Sequence, residues 1–312
     1  MIEVRNLTKY YGPELAVNDI SFEIEKGQVV GFLGPNGAGK STTVRILTCY
    51  LAPTAGTAVV NGFDIFENSL EVRRQIGYLP ESAPLYADMT VYDYLKFCVD
   101  IRKNGIRQSG RVREVVDICG LGDVLHKDIA ELSKGFRQRV GLAQAMIHDP
   151  RILILDEPTV GLDPNQIVEI RKLIRELGRE KTVILCSHIL PEVEATCNRV
   201  LIINHGQIVA DGTSEKLRAS FEGKGHIVMQ IRECPQEKIE NLGTIAGISG
   251  IPEITTPEPG ITQVTLETAR GADPRESLFR YCVEKQIVLL EMTRAKTSLE
   301  SVFRKLTGRE EA

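Results

Sequence analysis

The chain has 312 residues, 42% of them hydrophobic, and a formal net charge of −4. That is enough for one large or two ordinary domains with buried cores, and the acidic balance argues against an extended basic face for nucleic acid. The seven cysteines include no Cys-x-x-Cys pair, so reduced, mostly buried thiols of a cytosolic protein are expected rather than a disulfide framework.

The opening "MIEVRNLTKYYG" lacks a basic-then-apolar leader pattern, and no apolar run approaches the roughly 18 residues of a membrane helix. A soluble chain is expected, reaching a membrane only through a partner. "IEVRNLTKYY" and "AVNDISFEI" read as strands around a turn at Gly12-Pro13. "QVVGFL" is a short buried strand that enters a glycine loop and then a helical stretch, "KSTTVRILTCYL". "GTAVVNGFDI" returns to β structure. From Val91 to about Leu125 the pattern is helical, and its basic cluster, "RKNGIRQSGRVREVV", reads as a solvated helix face. "LSKGFRQRVGLAQAM" reads as a helix opening on Ser133 and Gly135; its first-turn amides and positive dipole end make a ready anion site. "RILILD" and "TVILCSH" are continuous apolar runs, as expected of parallel strands covered on both faces. "RVLIINHGQIVADG" reads as a closing hairpin. This alternation predicts an α/β core with a mostly parallel sheet, spanning residues 1–222.

A second domain is expected over residues 225–312. Its strands and helices run β-α-β-β-α-β, the split βαβ or ferredoxin-like pattern. A terminal helix, "TSLESVFRKLTG", follows, with Thr297 and Glu300 placed for a capping box and Gly308 for its end. No catalytic constellation appears there.

The chemistry lies in the first domain. "GPNGAGKS" fits G-x-x-x-x-G-K-[ST] across Gly34, Pro35, Asn36, Gly37, Ala38, Gly39, Lys40 and Ser41. The glycines let the backbone curl so that its N–H groups face a phosphate. Lys40 is placed to reach the β- and γ-phosphates, Ser41 to offer a hydroxyl to Mg²⁺, and Thr42 to add a contact toward the α-phosphate. Asp156, ending the strand "RILILD", suits Mg²⁺ held through water. Glu157 next to it is expected to act as general base on the attacking water; the plainer alternative is a pairing with a nearby Lys. His188, after "TVILCS", either senses the γ-phosphate or is a satisfied core residue.

In these motifs the chain resembles the ATP-binding subunits of ABC transporters from Met1 to about Phe221. "GPNGAGKST" stands as the Walker A loop, "GYLPE" as the Q-loop segment, "LSKGFRQRV" as the signature, "RILILDEP" as the Walker B strand, "VGLDP" as the D-loop and His188 as the switch histidine. The resemblance implies a P-loop ATPase core with an antiparallel β subdomain and a helical subdomain. It implies ATP and Mg²⁺, with Tyr11 stacking on adenine. It also implies a homodimer that sandwiches ATP head to tail, Ser133 and Gly135 of each chain completing the other's site. The partner is an integral membrane permease, the location the cytoplasmic face of the cell membrane, and the direction export, since the second domain resembles a drug-export and gliding-motility subgroup. The resemblance places the permease contact near the Glu81 loop and the helical stretch after it, where "SAPLYADMTVYDYL" offers Leu85, Tyr86 and Met89 as exposed apolar candidates; the plainer alternative is that these three are core residues. No nucleic acid is expected.

Two departures qualify the match. The signature reads Leu132-Ser133-Lys134-Gly135-Phe136 where the family commonly has Leu-Ser-Gly-Gly-Gln; Lys134 either favours triphosphate or points to solvent, and Phe136 removes an amide that would touch ribose. Glu81 stands where a metal-ligating Gln is usual, as in many exporter relatives. Its charge needs metal or a cation such as Arg73 or Arg74 beside the triphosphate. The rival readings are a soluble ATPase acting on ribosomes or DNA and a nucleotide-gated scaffold. A single P-loop, the absence of a heptad-repeat insertion and the presence of Glu157 and His188 argue against them.

Overall fold

A computed structural model describes residues 1–102, 108–221, 225–232, 234–250, 252–269, 272–295 and 299–308. The backbone divides into two compact units, Met1–Ser214 with Leu306–Ala312, and Glu215–Lys305. Residues 222–224, where the change of domain was expected, lie outside the described residues.

In the first unit, β1 (Ile2–Tyr11) and β2 (Glu14–Ile24) form an antiparallel hairpin. β3 (Val29–Leu33) runs into the glycine loop and α1 (Lys40–Leu47). The helix stops short of the expected "CYL" because Cys49 turns left-handed at φ 57°. β4 (Ala55–Val60) and β5 (Phe63–Asp64) complete an antiparallel sheet of order β2-β1-β4-β5. Then come α2 (Ser69–Gln75), β6 (Ile76–Leu79), α3 (Val91–Ile101), α4 (Gln108–Cys119) and α5 (Lys134–Met146). After them follow β7 (Ile152–Asp156), α6 (Pro164–Leu177), β8 (Thr182–Ser187), α7 (Leu190–Thr196), β9 (Arg199–Asn204) and β10 (Gln207–Gly212).

The central sheet has the order β10-β9-β3-β8-β7-β6, parallel except for β10 at its edge. Every residue of β3, β7 and β8 is buried. Strand alternation explains how one run serves two cores. Ile152, Ile154 and Ile184 pack with Ile2, Leu7 and Ile20 from the antiparallel sheet, whereas Leu153, Leu155 and Leu185 pack with Leu95, Val140 and Ile174 from the helices. Each such side chain contributes about 1.5–3 kcal/mol when fully buried.

One expectation for the helical part fails. Arg111 does not join a solvated face: it is buried, and its guanidinium donates to the Met146 and Ile147 carbonyls at 2.7 and 3.1 Å. A cation at the C-terminus of α5 satisfies orphan carbonyls and complements the helix dipole. Residues 103–107 of the basic cluster lie outside the described residues.

α8 (Ser214–Phe221) begins at the division between the units. The second unit carries β11 (Gly225–Arg232), α9 (Gln236–Glu240), β12 (Glu253–Glu258), β13 (Ile261–Thr268), α10 (Arg275–Glu284) and β14 (Leu289–Ala295). Its sheet, β12-β13-β11-β14, is antiparallel throughout, as the ferredoxin-like pattern requires. Ile227, Met229, Val264 and Leu278 form its core. α11 (Leu299–Thr307) is followed by Gly308 at φ 68°. Thr297, expected to cap that helix with Glu300, lies outside the described residues.

Candidate functional site

The glycine loop is shaped by close approach. A β-carbon on Gly34 would fall 2.3 Å from the Ile203 carbonyl oxygen, and one on Gly39, at φ +105°, 2.5 Å from the Ala16 oxygen. Only glycine fits either place. The loop therefore curls tightly from β3 into α1, and the α1 amides open onto a cavity of about 530 Å³. Asn36, Gly37, Ala38, Gly39, Lys40, Ser41 and Thr42 line it. So do Tyr11 at the end of β1, Glu81 after β6, Glu157 after β7 and His188 after β8. Gly34 and Pro35 line no part of it; they hold Lys40, whose Nζ donates to their carbonyls at 2.7 and 3.1 Å.

The polar centre is dense. Ser41 Oγ donates to Asp156 Oδ1 at 3.4 Å. Burial raises the Asp156 pKa and lowers that of Lys40, each shift opposing the charged form. Glu157 takes a left-handed backbone, φ 50°, and its amide donates to the Cys186 carbonyl at 3.0 Å. Its Oε1 lies 3.9 Å from Lys40 Nζ and 2.9 Å from His188 Nδ1. The expected base and the alternative Lys pairing therefore meet at one carboxylate. Glu157 Oε2 is buried without a hydrogen-bond partner. His188 is not a core residue: its side chain is 39% exposed.

Several expectations need correction. Neither Arg73 nor Arg74 serves Glu81: Arg74 pairs with Glu71 and Arg73 donates to the Ser69 carbonyl. Glu81 shares the cavity wall with Lys40, whose ion-pair contact is to Glu157. Of the two readings of Lys134, the solvent one stands: the residue is exposed and lines no part of the cavity, its Nζ lying over Gly161, 2.1 Å from where a β-carbon there would be. Phe136 packs against the helical core. Leu85 and Met89, taken as exposed apolar candidates for a docking surface, pack against that same core, whereas Tyr86 is exposed. Local sequence reasoning missed Glu14, Ala16 and Val160 as cavity-lining residues, which only the sheet topology brings there.

Ser133 and Gly135 do not reach this cavity. Ser133 is the N-cap of α5, accepting from the Phe136 amide at 3.4 Å.

A glycine loop between a parallel strand and a helix, with a buried aspartate ending another strand of the same sheet, defines a P-loop nucleotide-binding ATPase. The comparisons narrow that class. A family model described as ABC transporter matches residues 17–160. The chain is similar to the bacitracin transport ATP-binding protein BcrA of Bacillus licheniformis, 34% identical over 310 residues, covering 99% of this chain and 97% of that protein. It is also similar to the linearmycin resistance ATP-binding protein LnrL of Bacillus subtilis (strain 168), 31% identical over 315 residues and 99% of each chain. A solved ATP-binding subunit of an ABC transporter superposes with a TM-score of 0.64 at 29% identity, covering 71% of this chain and 93% of that one. The chain belongs to the ATP-binding subunits of ABC transporters, and its activity is ATP hydrolysis coupled to transport across a membrane. Among the described residues no helix is long and apolar enough to cross a membrane.

Proposed function

We propose that two copies of this chain close head to tail over two ATP molecules, each supplying Ser133 and Gly135 to the other's phosphates. One observation carries the reading. Lys40, Ser41, Glu157 and His188 converge on one cavity, while the α5 N-terminus, an anion site by its dipole and free amides, lies outside it. A site of this kind is completed by a second chain.

In this reading Tyr11 stacks on adenine, and the backbone from Asn36 to Gly39 with Thr42 cradles the phosphates. Lys40 leaves the Gly34 and Pro35 carbonyls for the β- and γ-phosphate oxygens. That frees the Glu157 carboxylate to take a proton from the attacking water, a transfer typically worth ~10²–10⁴-fold in rate. His188 orients Glu157 through Nδ1 and reaches the γ-phosphate from its exposed edge. The oxygen donors Ser41 and Asp156, with Glu81 beside them, suit a hard divalent cation, and the orphaned Glu157 Oε2 marks a polar centre built for more than the chain's own groups. Mg²⁺ bound there would neutralise phosphate charge.

ATP closes the dimer, and hydrolysis with phosphate release opens it. The motion drives a separate integral membrane permease from the cytoplasmic face. The functions for which the two relatives are named, bacitracin transport and linearmycin resistance, support export of a toxic compound as the task. Glu157→Gln tests the reading: the amide keeps the shape but takes no proton. The variant should bind ATP, run as a dimer on gel filtration with ATP present, and release no phosphate. Turnover at the parent rate would remove Glu157 from the role of base.

A further inference from the structure

Glu192, on α7, is 2% exposed, the most deeply buried carboxylate among the described residues. Burying a carboxylate is costly unless it is paired and hydrogen-bonded, and an apolar side chain of similar size is often no worse for stability. Its partners show what it joins. Oε2 accepts from Thr159 Oγ1 and, at 3.3 Å, from Ser187 Oγ. Oε1 faces Arg171 Nη2 of α6 at 3.9 Å. Thr159 and Ser187 are themselves fully enclosed, so neither hydroxyl is there for solvent.

The two hydroxyls belong to the two loops that carry the chemistry. Thr159 stands two residues after Glu157, in a turn where the Val160 amide donates to the Glu157 carbonyl at 3.3 Å. Ser187 precedes His188, and its Oγ accepts from the Ile189 amide at 3.0 Å, fixing the chain on the far side of the histidine. The contacts therefore form a closed circuit: Glu157 to Thr159 along the chain, Thr159 to Glu192, Glu192 to Ser187, Ser187 to His188, and His188 back to Glu157 at 2.9 Å. We propose that Glu192 is a positioning residue: its carboxylate clamps the loops after β7 and β8 so that the Glu157–His188 pair is held in register for hydrolysis. This rests on the reading of Glu157 as base and His188 as its orienting partner. The physical reason is that a misplacement of about 1 Å at a reacting group can cost on the order of 10²-fold in rate, and the backbone pairing ends at the base of these loops: the Glu157 amide makes the last β7–β8 bond, to Cys186, and β8 pairs with β3 only as far as Ser187.

The test uses the full-length chain and steady-state phosphate release. Glu192→Gln keeps the shape and an acceptor for one hydroxyl but loses the charge facing Arg171. It should lower kcat about 10-fold or more while KM for ATP stays within about 3-fold, because the clamp acts on the chemical step and not on the phosphate cradle. In a His188→Ala background the same substitution should cost no more than about 2-fold, since the pair to be aligned is already gone. Thr159→Val should reproduce the loss and Thr159→Ser should restore it, which also covers the case in which Glu192→Gln does not fold. Equal losses in both backgrounds, or kcat and KM falling together with Tm, would mean that Glu192 only stabilises the fold and would overturn the proposal. A parental kcat in Thr159→Val overturns it too. Glu157→Gln run in parallel separates the two ideas: if it is inactive while Glu192→Gln is fully active, the positioning role alone fails; if it turns over, the reading of the base fails.

Discussion

The side chain of Gln166 fills the space that a β-carbon on Gly135 would need, with Cδ 2.6 Å from that point. Gln166 is also the partner of Asp163 in a capping box at the start of α6: Asp163 Oδ1 accepts from the Gln166 amide at 2.9 Å, and Gln166 Oε1 accepts from the Asp163 amide. The N-terminus of α5 is thus seated directly on the first turn of α6. A glycine usually explained by its nearness to a nucleotide has a packing reason within its own chain.

This relationship makes the sign of one substitution depend on its background. Gly135→Ala pushes Gln166 out of the capping box and should cost about 1 kcal/mol. In a Gln166→Ala chain the obstacle is absent, and the same change should stabilise by about 0.5–1 kcal/mol through helix propensity alone. Chemical denaturation of the four chains measures the cycle. Destabilisation of equal size in both backgrounds would show that Gln166 is not what Gly135 accommodates.

His148 carries a pH-dependent contribution to stability. Its Nε2 donates to the Ile76 carbonyl at 3.1 Å and its Nδ1 is buried without a partner. Burial, with Arg102 beside it, lowers its pKa from 6.5 to about 4. Below pH 6.5 the unfolded chain binds a proton that the folded chain refuses until about pH 4, so stability is full above that window and falls as pH drops through it. The loss from this one group is about 3 kcal/mol. His148→Gln should flatten that part of the profile; a variant as pH-sensitive as the parent in denaturant unfolding would assign the loss to other groups.

Tyr86 and Leu85 should separate docking from folding. Tyr86 is 52% exposed and contacts the rings of Tyr94 and Phe97 at 5.9 and 5.6 Å, whereas Leu85 packs on the core. Tyr86→Glu should leave Tm and basal ATPase activity near parental values and reduce the integral membrane protein recovered with the tagged subunit from detergent extracts. Leu85→Glu should instead destabilise the fold by about 2–3 kcal/mol. Undiminished recovery of the membrane partner with Tyr86→Glu would place docking elsewhere.

The contrast between these residues shows what a sequence reading reaches. The phosphate loop was legible because its chemistry depends on spacing within eight consecutive residues. β7 and β8 were legible because a strand covered on both faces must be apolar throughout. Leu85 and Met89 were misread as exposed because nothing local tells a loop that crosses a core from one that skirts it. Arg111 looked like part of a solvated basic face, and only the end of α5 beside it reveals a cap. Gln166 meets Gly135 and Glu192 meets Thr159 across 31 and 33 residues, and no motif of fixed spacing marks those contacts.

The shared site is tested most directly by mixing two inactive variants. Lys40→Ala removes the charge that holds the β- and γ-phosphates, and Ser133→Arg blocks the surface offered to the facing chain. Each homodimer then has two broken sites. In a mixed dimer both lesions fall in one composite site, and the other pairs an intact glycine loop with an intact α5 N-terminus. Random exchange makes about half the dimers mixed, so roughly a quarter of the parental sites should return. Phosphate release after mixing, with exchange verified by tagged pull-down, is the measurement. Recovery clearly above both parents is the predicted result; verified exchange with no recovery would contradict a site shared between two chains.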